Sequence, residues 1–150
     1  SDGADPHIYG VANETYFALR RTGVDQAIVL SGEAGAGKTT HARLLVSHLA
    51  RIAAASPPSK RDEKLAVRIA ALNVVLSTLG SASLPHSPDA SRLGTYAELQ
   101  YTARGKLAGV KTIVYALDRE RVTRQRLGER NFHAFYALVH GAPADIKSAL

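Results

Sequence analysis

One short stretch of the chain carries the residue types that bind a polyphosphate. It satisfies the phosphate-loop pattern G-x-x-x-x-G-K-[ST], and its members are Gly32, Glu33, Ala34, Gly35, Ala36, Gly37, Lys38 and Thr39. Glycines let backbone N–H groups close around an anion, because side chains there would keep the backbone away. The spacing predicts that Lys38 reaches the outer phosphate oxygens and that Thr39 ligates Mg²⁺. We therefore expect the segment from Gly32 to Thr40 to bind Mg²⁺-ATP.

The residues on either side of this phosphate loop predict the elements that hold it. Residues 26–31 are mostly apolar, which favours a buried strand, and residues 40–55 have the pattern of a helix. The positive N-terminal end of that helix would face the phosphates. We predict an α/β P-loop fold, a central β-sheet flanked by helices, with the nucleotide site at the carboxyl end of the first strand.

Three further helices are predicted from apolar spacing and end signals. The first begins at Asp5-Pro6 and ends at Gly23, the second covers residues 64–80, and the third is a short helix that Gly141 closes. Residues 56–63, with two prolines, are expected to form an exposed connector. The buried stripe of the helix after the phosphate loop is expected to consist of Leu44, Leu45, Val46 and Leu49.

The remaining segments are predicted to be a loop and a hairpin. Residues 81–94 contain Pro85, Pro88 and several serines, which favours a long surface loop. Residues 95–103 and 106–117 have strand patterns, and Arg104-Gly105 between them supplies a turn.

Composition limits the class of protein. With 150 residues and 45% hydrophobic content, residues 1–150 are expected to form one domain or part of one. The chain has no Cys, so it cannot form disulfides or thiolate metal sites, and no apolar run reaches the roughly 18 residues of a membrane span. It also has no Met, so we expect it to be cut from a longer polypeptide.

The charge of +6 does not by itself indicate a nucleic-acid partner. Its densest basic run, residues 119–130, is interleaved with Glu120 and Glu129, so we interpret it as a solvated face with local ion pairs. Glu129 and Arg130 could form a structural pair.

The histidines are expected to have no catalytic role: His7 and His133 would pack or cap, and the surface histidines would be His41, His48, His86 and His140. Tyr96 and Tyr101 are interpreted as strand packing.

Several stretches in the right order resemble the first part of a myosin motor domain. They are Pro6-His7-Ile8-Tyr9, residues 26–39, Ser91-Arg92-Leu93-Gly94, residues 105–109, residues 121–125 and residues 128–136. The run at residues 91–100, SRLGTYAELQ, is similar to the corresponding run of fungal chitin synthases that carry an N-terminal myosin-like domain, and residues 20–26 point the same way.

The resemblance implies roles for individual residues. Lys38 would contact the β- and γ-phosphates, Thr39 and Ser91 would ligate Mg²⁺, and Arg92 would pair with an acidic residue of the family's second switch. Lys38, Ser91 and Arg92 would thus be the catalytic residues. The family usually has N-x-N-S-S-R where this chain has Ser87 to Arg92. Asp89 and Ala90 therefore replace an amide and a hydroxyl, which puts efficient hydrolysis in doubt.

The resemblance also implies a setting. The second switch, the actin-contacting region and the lever would lie beyond Leu150, so this piece would not be a working motor. The parent protein would be a membrane glycosyltransferase that synthesises chitin. Its motor-like part would lie on the cytoplasmic side of the plasma membrane or of secretory vesicles, with actin filaments as a partner, no nucleic acid, and membrane attachment only through the rest of the chain.

Two alternatives remain open. In a free-standing P-loop kinase or NTPase, residues 112–118 would be a strand ending in a Mg²⁺-orienting Asp118; a GTPase is less favoured because no N-K-x-D motif occurs. In a non-hydrolysing docking module, the motor-like fold and nucleotide binding would persist without turnover.

Overall fold

The computed structural model describes residues 7–149. They divide into two compact units. The first comprises residues up to Ile69 together with Ala97–Lys111, and the second comprises Ala70–Tyr96 together with residues from Thr112 onward. The assignment of residues 1–150 to one domain stays a prediction.

Helix α1 (Ile8–Thr22) forms where the apolar spacing predicts it. Its N-cap is His7, whose Nδ1 accepts a hydrogen bond from the Tyr9 N–H at 3.2 Å, which confirms the capping role expected of this histidine. Gly23 ends the helix with φ 69°, a left-handed conformation that glycine adopts without penalty. The predicted start at Asp5-Pro6 lies outside the described residues.

Helix α2 (Lys38–Ile52) packs on α1 and supplies much of the core of the first unit. Three of the four stripe residues face that core, but Leu44 is 38% exposed, so the prediction was wrong for it. The buried members of the core are Ala12, Tyr16, Leu45, Leu49, Ala53, Ile69 and Leu107.

His48, predicted to be a surface residue, is buried on the inner side of α2. Its Nε2 lies 2.8 Å from Asn13 Oδ1, its Nδ1 lies 3.1 Å from the Arg51 guanidinium, and its ring stacks on Tyr9 with centroids 4.4 Å apart. Since Arg51 can only donate, Nδ1 must accept, and the ring proton sits on Nε2. Burial lowers the pKa of His48 below 6.5, and the positive charges of Arg51 and His7 lower it further.

The packing of α1 on α2 is therefore expected to weaken in acid. The folded protein holds His48 neutral, whereas the unfolded chain protonates it near pH 6.5. Its contribution is thus full above that pH and lost as the pH falls through the lowered folded pKa. Hydrogen-exchange protection of α1 and α2, corrected for intrinsic exchange, should fall over this range in the full-length gene product. His48→Gln should remove that pH dependence; its persistence in the variant would contradict the assignment.

Helix α3 (Lys60–Gly80) begins four residues before its predicted start. The reason is a reciprocal cap: the Ser59 N–H and hydroxyl donate to Asp62 Oδ2 at 2.9 and 2.7 Å, and the Asp62 N–H donates back to Ser59 Oγ at 3.3 Å. The exposed connector is correspondingly shorter than residues 56–63.

The strand predicted at residues 26–31 does not form. This segment has no regular secondary structure, and Val29 is 84% exposed. An apolar run becomes a buried strand only where neighbouring strands accept and donate its backbone hydrogen bonds, and no strand of the described residues pairs with it.

The loop predicted at residues 81–94 is mostly an antiparallel hairpin of β1 (Ser81–Leu84) and β2 (Ser87–Ser91). Ser81 pairs with Ser91 and Ala82 with Ala90, and both alanines are buried. Pro88 lies where the register shifts between the Ala82–Ala90 and Leu84–Ser87 pairs, and proline within sheets is confined to edge strands and such irregularities.

The second hairpin agrees with its prediction. It consists of β3 (Gly94–Tyr101) and β4 (Leu107–Tyr115), and Gly105 in the turn has φ 75°. The Tyr16 hydroxyl donates to the Gly105 carbonyl at 2.9 Å, which ties α1 to this turn. Tyr101 packs beside Tyr16 with ring centroids 5.7 Å apart, but Tyr96 is 56% exposed. The strand-packing interpretation is thus confirmed for Tyr101 only.

The described residues form two separate two-stranded sheets and no central sheet.

The second unit ends in short helices. A 3₁₀ turn (Arg119–Val122) follows β4, the predicted short helix is α4 (His133–Gly141), and a further turn of helix, α5 (Ala144–Lys147), follows Pro143. Phe132, immediately before α4, is 5% exposed and bridges to Ala82, so the start of α4 is attached to the β1–β2 hairpin.

Candidate nucleotide-binding site

The phosphate loop is a left-handed backbone turn that leads into α2. Gly32, Gly35 and Gly37 have φ values of 146°, 84° and 82°, and Gly37 is the N-cap of the helix. A Cβ at Gly35 would meet no atom within 4 Å, so the conformation rather than crowding within the chain requires glycine there. The loop geometry therefore depends on Gly32 and Gly37, which the motif specifies, and on Gly35, which stands at one of its variable positions.

Lys38 lies along this loop. Its Nζ donates to the Gly32 carbonyl at 2.6 Å and to the Glu33 carbonyl at 2.5 Å, so the ammonium group is held at the loop instead of extending into solvent. The structure thus brings the lysine, the first glycine and Glu33 of the motif together.

The start of α2 supplies donors suited to an anion. The first backbone bond of the helix runs from the His41 N–H to the Gly37 carbonyl at 2.9 Å, so the N–H groups of Lys38, Thr39 and Thr40 have no partner within the helix. The first turn has no acidic side chain. A cluster of N–H donors, a helix dipole and a lysine is the donor set that a polyphosphate requires.

Ser91 and Arg92 lie in the second unit, where β2 ends. The Ser91 hydroxyl donates to the Leu93 carbonyl at 3.0 Å, and Arg92 Nε donates to the Ser91 carbonyl at 3.2 Å. The Arg92 backbone is held on both sides, by the Gly80 carbonyl at 2.7 Å and the Asp118 N–H at 2.9 Å. The two predicted residues are therefore joined to each other at a fixed point of the backbone.

Sequence reasoning missed a polar cluster beside Ser91, the Asp89 cluster, which consists of Ser77, Asp89 and His133. The Ser77 hydroxyl lies 3.1 and 3.3 Å from the two carboxylate oxygens of Asp89, and His133 Nε2 lies 3.4 Å from Oδ1. The three residues come from α3, β2 and α4. The departure of Asp89 from the family pattern was the available signal, but its partners are 12 and 44 positions away in the chain.

The basic run at residues 119–130 is not uniformly solvated, which corrects its interpretation. Arg121 is 7% exposed; its Nε donates to Asp118 at 3.2 Å, and its Nη1 donates to Glu129 at 2.9 Å and to the Arg130 carbonyl at 3.3 Å. Glu129 therefore pairs with Arg121 rather than with Arg130, whose guanidinium lies over the Tyr136 ring. Partial desolvation opposes ionisation of Glu129, but hydrogen bonds from Arg121 and Arg126 outweigh it and lower its pKa.

Asp118, which would be the metal ligand in a kinase, is therefore paired with Arg121. Asp118→Asn is expected to change the affinity for Mg²⁺-ATP less than about threefold, because an amide oxygen can still accept from Arg121. A nucleotide-binding titration of the full-length gene product measures this. A loss of tenfold or more, against an unchanged Glu120→Gln control, would favour the kinase-like role.

Comparison with known proteins shows the family to which the chain belongs. The family described as myosin head (motor domain) matches residues 1–150. The chain therefore belongs to the myosin head family. It is 42% identical to chitin synthase 5 of Cryptococcus neoformans var. grubii and 40% identical to chitin synthase 8 of Mycosarcoma maydis, in each case over 97% of this chain. It is 39% identical to the myosin IA heavy chain of Dictyostelium discoideum over 95% of this chain.

The matched regions are small parts of those proteins. The chain spans 8% and 7% of the two chitin synthases and 14% of the myosin heavy chain. The family assignment favours the motor-like alternative over a free-standing kinase or NTPase.

Within residues 7–149, no helix is long and apolar enough to cross a membrane, and no three His, Asp or Glu side chains are grouped as a metal site.

Proposed function

We propose that this chain binds Mg²⁺-ATP through its phosphate loop, as part of a motor-like domain. The observation that carries the proposal is the loop itself: three glycines with positive φ lead into a 15-residue helix, and Lys38 Nζ is held at the loop by two carbonyls. Backbone donors and one lysine around a Gly-rich turn suit a polyphosphate.

Each site residue has a role that fits its chemistry. Lys38 would exchange its two carbonyl partners for the β- and γ-phosphate oxygens, and the N–H groups of Thr39 and Thr40 would donate to the phosphates. The Thr39 hydroxyl would ligate Mg²⁺, which neutralises phosphate charge when bound. For Ser91, the role of a Mg²⁺ ligand is implied by the family resemblance alone. Arg92 would pair with an acidic residue of the second switch.

The larger setting is proposed from the relatives. The names of the two chitin synthases support placing this chain in a fungal chitin synthase. The family resemblance implies that it is the N-terminal part of that protein and that the whole protein is a membrane glycosyltransferase. In that protein the motor-like part would lie on the cytoplasmic side of the plasma membrane or of secretory vesicles and would tether the enzyme to actin filaments. Cosedimentation of the full-length gene product with actin filaments, with and without ATP, tests the tether.

A second candidate is a docking module that binds ATP without hydrolysing it. Ala90 favours it, because this position has no hydroxyl and its side chain is 7% exposed, opposite Ala82 in the hairpin. Tight ATP binding without phosphate release by the full-length gene product would select this candidate, and turnover would exclude it.

The deciding experiment is a titration of the full-length gene product with a fluorescent ATP analogue, with and without Mg²⁺ and with GTP as competitor. We expect saturable, Mg²⁺-dependent binding that ATP displaces better than GTP. A folded protein that binds neither nucleotide would overturn the proposal and leave docking without nucleotide as the function.

A further inference from the structure

Basic side chains from three elements of the first unit collect around the turn between β3 and β4. Near the end of α1, Arg20 donates to the Arg104 carbonyl in the turn. Near the start of α3, Arg61 donates to the Ala108 carbonyl of β4 at 3.2 Å. The turn itself contributes the side chains of Arg104 and Lys106, and all four basic side chains are exposed. Contacts on the backbone of one turn therefore bring these cations together.

No ion pair neutralises these cations within the described part of the chain. The partners of Arg20 and Arg61 are backbone carbonyls, which carry no net charge, and each guanidinium retains further N–H donors. Hydrogen bonds to Ser59 are the main cause that lowers the pKa of Asp62, and the nearby charge of Lys106 is a minor one. The turn is thus a basic surface with donors to spare.

An exposed phenylalanine lies beside this turn. Phe17 is 64% exposed, and its ring centroid lies 5.7 Å from that of Tyr16, whose hydroxyl donates to the Gly105 carbonyl in the turn. Arg20 and Arg21 follow Phe17 by three and four positions, so the three side chains share one face of α1. An apolar ring is therefore presented to solvent among cations.

We propose that these side chains, the basic turn surface, dock on the surface of an anionic phospholipid bilayer. The members of the surface are Phe17, Arg20, Arg21, Arg61, Arg104 and Lys106. Anionic headgroups attract Lys and Arg, and an aromatic ring among such cations enters the boundary between headgroups and acyl chains. The docking does not depend on nucleotide binding. It adds a contact of the first unit itself to any attachment through the rest of the chain.

The exposed ring favours a bilayer over other polyanions. A phosphate backbone or an acidic protein segment would satisfy the cations but would offer Phe17 no apolar region. Stacking along a single-stranded nucleic acid uses successive aromatic side chains, whereas this surface has one.

The test follows amide hydrogen exchange in the full-length gene product during a titration with phosphatidylcholine vesicles that contain about 25 mol% phosphatidylserine. We expect exchange of residues 17–22 and 102–106 to slow about fivefold or more as the surface is occupied. Vesicles of phosphatidylcholine alone should have no effect on these residues, and high salt should remove the protection because it screens the attraction. Local exchange reports this surface even if another part of the chain attaches to the vesicles.

Two variants separate the contribution of charge from that of the ring. Arg104→Gln combined with Lys106→Gln removes two exposed cations. It should raise the lipid concentration for half-maximal protection about 25-fold, because each basic side chain contributes about fivefold. Phe17→Ser should raise that concentration about fivefold, because it removes the side chain that enters the bilayer.

Matched controls come from the second unit. Arg119→Gln combined with Arg124→Gln removes the same charge from exposed positions, and Leu127→Ser removes a fully exposed apolar side chain. Both controls should bind the vesicles as the parent does. Exchange of α2 without vesicles should be the same in every variant, which shows that the first unit remains folded.

Three outcomes would overturn the proposal. The first is a parent protein whose exchange at the basic turn surface does not respond to phosphatidylserine, and the second is an equal response of the parent and the Arg104→Gln, Lys106→Gln variant. The third is a loss in that variant with Phe17→Ser unchanged, which would point to a nucleic acid or an acidic protein segment instead. No ATP is present, so these outcomes are independent of the proposed nucleotide binding.

Discussion

Lys38→Ala is expected to lower the affinity for Mg²⁺-ATP about 30-fold or more. The ammonium group is the only charged side chain that contacts the loop carbonyls of Gly32 and Glu33 in the described residues, and it would be the direct partner of the outer phosphates. Losing the hydrogen bonds from the ammonium group to the charged phosphate oxygens costs about 2 kcal/mol, which corresponds to this factor. The titration with a fluorescent ATP analogue measures it.

The matched control is Lys64→Ala, which removes an exposed lysine of α3 and changes the net charge by the same amount. Its affinity should equal that of the parent. Hydrogen exchange of residues 38–52 should be the same in both variants. This result would show that α2 remains folded in Lys38→Ala and that the loss of affinity comes from the missing ammonium group. Equal affinities of Lys38→Ala and the parent would contradict phosphate binding by this loop.

Arg121→Ala is expected to destabilise the second unit by about 2 kcal/mol. Arg121 is 7% exposed and neutralises Asp118 and Glu129 while donating to the Arg130 carbonyl, so its removal leaves two carboxylates without their cation. Breaking a fully buried pair costs more, but the partial exposure of both acids reduces the effect.

The Arg130 N–H reports this change directly, because it donates to the Ser83 carbonyl of β1 at 2.9 Å. Its hydrogen-exchange protection should fall about 30-fold, the equivalent of that free energy. Arg124→Ala, which removes an exposed arginine of the same run, should leave the protection within about twofold. Equal protection of the Arg130 N–H in the two variants would contradict the structural role of Arg121 and favour a solvated face at residues 119–130.

Local patterns predicted the features that depend on neighbours in the chain. The helix at Ile8–Thr22 follows from apolar spacing and a terminal glycine, and the β3–β4 hairpin follows from alternation around Arg104-Gly105. The phosphate loop belongs to the same class, because its geometry comes from glycine φ angles and the start of one helix.

Features that depend on distant partners could not be predicted in this way. Residues 81–94 contain loop-forming prolines, yet Ala82 and Ala90 are buried and pair across a hairpin that Phe132 covers. The apolar residues 26–31 failed as a strand for the opposite reason, since a strand needs hydrogen-bonding neighbours that its own sequence cannot specify.

The sequence by itself determined the glycine pattern of the phosphate loop, the family resemblance and most of the helices, since each resides in contiguous residues. The tertiary structure decided which polar side chains share a partner. In it, His48 is buried beside Asn13 and Arg121 forms ion pairs with two carboxylates. Ser77 and His133 both contact Asp89. Such contacts form between residues that are far apart in the chain, and their charge and hydrogen-bonding roles therefore depend on packing rather than on local sequence.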